Sequence, residues 1–126
     1  MRYLLDSTVL IDHGNGDPGA VALLRRLFEG GHELFTCDVV TCETLSLGDE
    51  PHLRGIRALL EALEYVATSP EAARRAGDAR SQLHRAGRKL GIADALIGGV
   101  ATSLGAEVVT RIRPNFERQG VITLGY

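Results

Sequence analysis

Short apolar runs that alternate with helical patterns along 126 residues predict an α/β sandwich with a mainly parallel central sheet. Two further observations support that class. The first run ends in a charge, as a buried strand does when it delivers its last residue to a sheet edge. No repeat, linker or low-complexity segment interrupts the alternation. Residues 1–126 read as one domain, since two halves would each be too small to bury a stable core without disulfides or a structural metal.

Tyr3-Leu4-Leu5 is the first strand, placing Asp6 at its carboxyl end. Asp17-Pro18 is an N-cap followed by proline in the first helical turn. Val21, Leu24, Leu27 and Phe28 continue at helical spacing until Gly30-Gly31 stops them. Leu34-Phe35-Thr36 is a second strand, and Val39 to Leu47 a short helix that carries Glu43. Asp49-Glu50-Pro51 opens a helix with Leu53, Ile56, Leu60 and Leu63 on one face, before a brief strand at Tyr65-Val66. Ser69-Pro70 repeats the start signal. From Pro70 to Ala86, Ala72, Ala76, Ala79 and Leu83 face inward while Arg74, Asp78 and Arg85 face out, so this helix lies on the surface. Ile92 to Leu104 is the most apolar helix. Glu107 to Thr110 and Val121 to Leu124 are strands, separated by a polar loop.

The charged share of 24% and hydrophobic share of 44% are those of an ordinary folded domain, and a formal charge of −2 excludes nucleic-acid binding by bulk attraction. Any such binding must be local. Cys37 and Cys42 have the spacing of neither a zinc knuckle nor a CxxC redox pair, and His13, His32, His52 and His84 lack HxxxH or HxH spacing. The N-terminus meets Asp6 before any apolar leader develops, and no stretch of 18 apolar residues follows, so a cytoplasmic protein without a membrane span is expected.

In an α/β sheet of this kind the ligand crevice lies at the carboxyl ends of the strands. Asp6 and the loop Arg111 to Phe116 both belong at that edge. Asp94 falls within the most apolar helix, a right angle from the line of Ala93, Ile97, Val100 and Leu104, with Gly98 one turn later leaving room beside its carboxylate. Each acid has an ordinary explanation on its own. Asp6 fits an N-cap, Asp94 a partner for first-turn N–H groups, and Glu43 a solvated helix position. Together they read differently, because carboxylates converging at a sheet edge repel one another unless a cation neutralises them. Mg²⁺ or Mn²⁺, one or two ions, suits hard oxygen ligands, and a phosphodiester is the substrate such a site serves best.

Leu4-Leu5-Asp6-Ser7-Thr8-Val9-Leu10-Ile11 resembles the first motif of the PIN-domain family, Val40-Thr41-Cys42-Glu43-Thr44-Leu45 the second, and Gly91-Ile92-Ala93-Asp94-Ala95-Leu96-Ile97 the third, in the form found in VapC-type ribonuclease toxins. The resemblance implies a three-layer α/β/α sandwich with Asp6, Glu43 and Asp94 as catalytic metal ligands and Thr8 and Thr110 supporting them. It also implies cleavage of RNA, commonly transfer or ribosomal RNA, a homodimer, and silencing by a VapB-type antitoxin. The fourth motif departs from the pattern. Where relatives often carry Thr-Arg-Asn-x-x-Asp-Phe, this chain reads Thr110-Arg111-Ile112-Arg113-Pro114-Asn115-Phe116. Asn115 keeps a carbonyl oxygen without the charge and is expected to be a weak ligand. Glu117 is a candidate to substitute for the missing acid.

Residues 74–89 carry six cations (Arg74, Arg75, Arg80, Arg85, Arg88, Lys89) against Asp78, a net +5 in a chain whose remainder is −7. Such a strip is either a solvated helix face or a track for RNA phosphates, with Arg88 and Lys89, just before the Asp94 helix, the first candidates and Arg111 and Arg113 the next. A phosphatase of the haloacid-dehalogenase type needs a second acid where Thr8 stands. A receiver domain needs a lysine near the end of the chain. The alternative that remains is a weakened PIN-like domain that binds RNA or an antitoxin without efficient cleavage, for which Asn115 is the main support.

Overall fold

The computed structural model describes residues 1–47 and 50–126. Its elements run β1 (Arg2–Leu5), α1 (Ser7–Gly14), α2 (Pro18–Glu29), β2 (Glu33–Cys37), α3 (Asp38–Leu45), α4 (Glu50–Glu61), β3 (Glu64–Val66), α5 (Pro70–Arg85), α6 (Ile92–Leu104), β4 (Glu107–Val109), α7 (Pro114–Glu117) and β5 (Thr123–Leu124). Among the described residues the strands form one sheet in the order β3-β2-β1-β4-β5, every neighbouring pair parallel, within an α/β/α sandwich. Burial explains the apolar strand sequences. Leu4 and Leu5 of the central strand are fully buried, and Leu34, Phe35, Thr36 and Cys37 line up beside them in β2.

From β1 the chain steps to β2 and β3 on one side, then crosses to β4 and β5 on the other. The switch point therefore lies between the carboxyl ends of β1 and β4, where connections leave in opposite directions and open a crevice. The register Leu5↔Val109 puts Asp6 and Thr110 next to each other at that opening. The Asp6 N–H donates to Val109 O at 3.0 Å and carries the ladder one residue further.

Helix starts follow the capping signals. Asp17 accepts from the Ala20 N–H at 2.9 Å and Ser69 from the Ala72 N–H at 3.0 Å, each satisfying a first-turn donor ahead of a proline-led helix. Asp49, expected to open α4, lies outside the described residues. On α4, Ile56 is buried and Leu53 and Leu60 half-buried; Leu63 is buried too, but beyond the end of the helix. On α5, Ala72 and Ala76 are buried and Arg74, Asp78 and Arg85 exposed. The backbones of α5 and α6 meet closely at Gly99, where a Cβ would lie 2.3 Å from Ala72 O. Gly105, at φ 65°, ends α6 in the left-handed conformation.

Two expectations are corrected. The segment read as a polar loop after β4 contains α7, a single turn led by Pro114 and anchored by the fully buried Phe116. The space beside Gly98, expected to lie open, is filled by Gln119, whose Oε1 sits 2.2 Å from where a Cβ would be. Among the described residues no helix is long and apolar enough to cross a membrane.

Candidate active site

Asp6 occupies the N-cap of α1 and is 2% exposed. Capping and a site role are compatible here, because the cap bond takes one side of the carboxylate. Oδ1 accepts from the Ser7 N–H at 2.8 Å, while Oδ2 accepts the hydroxyls of Thr8 at 3.0 Å and Thr110 at 2.9 Å. Both threonines are committed as donors to Asp6. Thr8 Oγ1 receives the Arg111 N–H at 3.1 Å and Thr110 Oγ1 the Ile112 N–H at 3.0 Å, so each hydroxyl relays a backbone donor onto the acid. The buried carboxylate is thereby fixed against the loop after β4.

Glu43 reaches the same opening from α3. Its Oε1 accepts the Ser7 hydroxyl at 3.2 Å, and that hydroxyl lies 3.4 Å from Asp6 Oδ1. Ser7 thus stands between the two acids. Asp94 enters from the first turn of α6, half-buried, and its Oδ2 accepts Asn115 Nδ2 at 2.8 Å. Gln119 Nε2 locks this corner by donating to Asp94 O at 3.2 Å and Asn115 O at 2.7 Å.

The acids sense one another. Burial, then the charge of Asp6, pushes the Glu43 carboxyl above its ordinary range; the Ser7 hydroxyl opposes this and the charge of Asp94 adds to it. Asp94 is raised first by burial and next by Asp6, against the pull of Asn115 and the positive field of Arg118. Among the described residues, no three His, Cys, Asp or Glu side chains close tightly enough around one point to cage a metal as they stand. Instead the carboxylates are turned onto neutral donors: Asp6 onto Ser7, Thr8 and Thr110, Glu43 onto Ser7, and Asp94 onto Asn115. The groups able to ligate a hard cation here are these three carboxylates, with the Asn115 amide beside them. A cavity of about 580 Å³ opens next to Glu43, walled by Val39, Leu47, Ile92 and Leu96.

The remaining sequence candidates are distributed more widely. Arg88 and Lys89 line a separate cavity at the foot of α6. Arg111 pairs with buried Asp12 at 2.8 Å, and Arg113 with Glu117 at 3.1 Å and Thr123 Oγ1 at 3.0 Å. Glu117 also accepts from Thr123 at 2.9 Å, so it is engaged with Arg113 and Thr123, whereas the contact to Asp94 is made by Asn115. Sequence reasoning passed over Ser7, Asp12 and Gln119. Ser7 was detectable as the residue between an N-cap acid and Thr8. The pairing of Asp12 with Tyr126 OH joins residues 114 apart and leaves no local signal.

Comparison with known proteins agrees with this architecture. The PIN domain family matches residues 3–111. The chain is similar to Ribonuclease VapC19 of Mycobacterium tuberculosis, 28% identical over 107 residues that make up 85% of this chain and 86% of that one. Among solved structures, VapBC2 from Rickettsia felis bound to a DNA fragment from its promoter superposes with a TM-score of 0.85 at 20% identity, covering 99% of this chain and 98% of that one. VapC20 of Mycobacterium tuberculosis, a toxin that cleaves the sarcin-ricin loop, superposes with a TM-score of 0.71 at 15% identity, covering 97% and 98%. With the family matching most of the chain, and the fold extending across nearly all of it, this chain belongs to the PIN domain family.

Proposed function

We propose that this protein is a divalent-metal-dependent endoribonuclease, the toxin of a type II toxin–antitoxin pair, held in check by a VapB-type antitoxin. The observation that carries the reading is the gathering of acids at the switch point of the sheet: Asp6 buried at the end of β1, Glu43 joined to it through Ser7, and Glu43 and Asp94 both raised by burial and then by the charge of Asp6. Two half-buried carboxyls raised by burial and by the charge of Asp6 form with it a set that a divalent cation relieves, and all-oxygen donors suit Mg²⁺ or Mn²⁺. The likeness to a named ribonuclease and to toxin–antitoxin complexes supports the substrate and the partner.

Asp6, Glu43 and Asp94 would hold the ion, with Asn115 as a neutral neighbour. Bound there, the ion supplies charge neutralisation on a phosphoryl oxygen and a water acidic enough to attack phosphorus. The protein's part is orientation. Thr8 and Thr110 keep Asp6 in one rotamer, and Ser7 holds Glu43 against it. Asn115 keeps Asp94 oriented towards the same opening. An RNA phosphate entering this edge brings negative charge to an acidic pocket, so nearby cations must assist it; Arg88, Lys89, Arg111 and Arg113 are the candidates. A homodimer in the cytoplasm is the form in which we expect it to act.

One observation favours a second reading, a weakened domain that binds RNA without efficient cleavage. Asn115 donates to Asp94 where an acid would share a cation with it. The two readings separate in one assay: purified, antitoxin-free protein is incubated with transfer RNA and Mn²⁺ or Mg²⁺. Cleavage abolished by EDTA and by Asp94→Asn is the expected result. Cleavage that persists under both treatments would refute the metal mechanism, whereas binding without cleavage selects the weakened domain.

A further inference from the structure

A second cavity, of about 610 Å³, lies where the end of α5 meets the start of α6. Arg80, Ser81, His84, Arg88, Lys89 and Gly91 line it, and among the described residues its wall holds no acid. That concentration stands out in a chain of net charge −2. Outside the cavity several arginines are paired with acids: Arg75 with Glu71 at 3.0 Å, Arg111 with Asp12 and Arg113 with Glu117. Here the cations converge on open space. Arg80 is held in place because its Nε donates to Leu90 O at 2.9 Å, which leaves the terminal nitrogens of the guanidinium as donors.

Position adds to charge. Gly91, the last residue of the cavity wall, is the N-cap of α6, and Asp94 lies one turn further, about 5 Å along the helix axis. Ile92, next to Gly91, is 63% exposed and belongs to the wall of the cavity beside Glu43. The two cavities therefore adjoin across the start of α6, one basic and the other bordered by Glu43. A strand that placed one phosphate among the cations would present a neighbouring linkage to the acids.

We propose that Arg80, His84, Arg88 and Lys89 form a phosphate-anchoring subsite for an RNA strand, distinct from the carboxylate site and setting which linkage of the strand reaches it. The inference rests on the ribonuclease reading for its choice of ligand. Backbone phosphates are the chemistry the pocket fits, since three permanent cations and an imidazole contact phosphate without regard to base identity. An acidic protein segment offers the same sign of charge and is the competing occupant.

The test measures binding of fluorescent transfer RNA to the full chain in EDTA, which silences cleavage, across a salt series. Arg88→Ala/Lys89→Ala is compared with Arg25→Ala/Arg26→Ala, which removes the same charge from exposed positions on α2. The first pair is expected to weaken binding about tenfold near physiological salt and to reduce the salt slope by roughly 1 to 2, the second to change binding less than about twofold. Equal affinity of wild type and Arg88→Ala/Lys89→Ala, or equal losses in both double variants, would overturn the subsite. So would a loss of poly-glutamate binding with RNA binding intact, which assigns the pocket to an acidic protein. Failure of cleavage with this RNA-binding pattern preserved would count against the nuclease and leave the anchor standing; cleavage with no dependence on residues 88 and 89 would do the reverse.

Discussion

Asn115 donates through Nδ2 to Asp94 Oδ2 at 2.8 Å, an arrangement that only a neutral or protonated residue can make. In this chain the fourth position of the site therefore stabilises Asp94 when no cation is present, where an aspartate would repel it. Asn115→Asp is expected to lower metal-free stability by about 1 kcal/mol, from a lost charge-assisted bond at a half-buried site. The same change should enlarge the stabilisation gained on adding Mn²⁺. Thermal unfolding with EDTA and with Mn²⁺ checks both parts, and a variant that gains nothing from Mn²⁺ over wild type would show that position 115 does not face the cation.

The raised carboxyls give metal-free stability a definite pH dependence. Asp94 and Glu43 have ordinary values of 3.8 and 4.5, and both are shifted upward in the fold. Between those values and the raised ones the folded state holds more protons than the unfolded chain, so these groups stabilise at low pH and lose that contribution as pH rises through their folded values. In EDTA, urea midpoints should show this decline upward from about pH 4, and Asp94→Asn should flatten it. Saturating Mg²⁺ should flatten it as well. A wild-type profile with the opposite slope in that window, not flattened by Asp94→Asn, would contradict the assignment.

Two adjacent glycines on α6 should respond differently to the same substitution. At Gly99 a Cβ would meet Ala72 O at 2.3 Å, a backbone atom on α5 that moves only if the helices separate. Gly99→Ala is expected to destabilise by about 2 to 3 kcal/mol. At Gly98 the obstruction is the end of the Gln119 side chain, which can swing away, and the gain in helix propensity offsets much of the strain. Gly98→Ala should unfold within about 1 kcal/mol of wild type yet lose activity, because Gln119 released from Asp94 O and Asn115 O no longer holds α7 against α6. Urea melts and cleavage assays on the two variants, read side by side, test whether this corner is structural or functional.

What was legible in the sequence depended on range. Asp17-Pro18 and Ser69-Pro70 announced their helices because a cap acts on donors two or three residues away. Likewise Leu4-Leu5-Asp6 announced a buried strand ending at the site, since burial on both faces demands a continuous apolar run. Asp6, Glu43 and Asp94 could be named because their spacing matched a motif. That Glu43 meets Asp6 through Ser7, and that Asp94 lies within the field of Asp6, are products of long-range packing. Helix α7 escaped notice because four residues are too few to show a period, and its anchor, Phe116, reads as one apolar residue in a polar stretch. The filling of Gly98 by Gln119 joins residues 21 apart through a side chain whose direction depends on α7. Arg111 and Arg113 illustrate the same limit: composition shows cations, whereas Asp12 and Glu117, their partners, appear only in the fold.

Whether positions 6, 43 and 94 act as one cation site can be read from an anomalous difference map of crystals of the protein soaked in Mn²⁺. One or two peaks are expected between the α1 and α6 N-termini, within ligating distance of all three carboxylates, with Glu43 and Asp94 rotated away from Ser7 and Asn115. A well-occupied Mn²⁺ peak elsewhere on the molecule, with this opening empty and the carboxylates still on their hydroxyl and amide donors, would contradict a shared site.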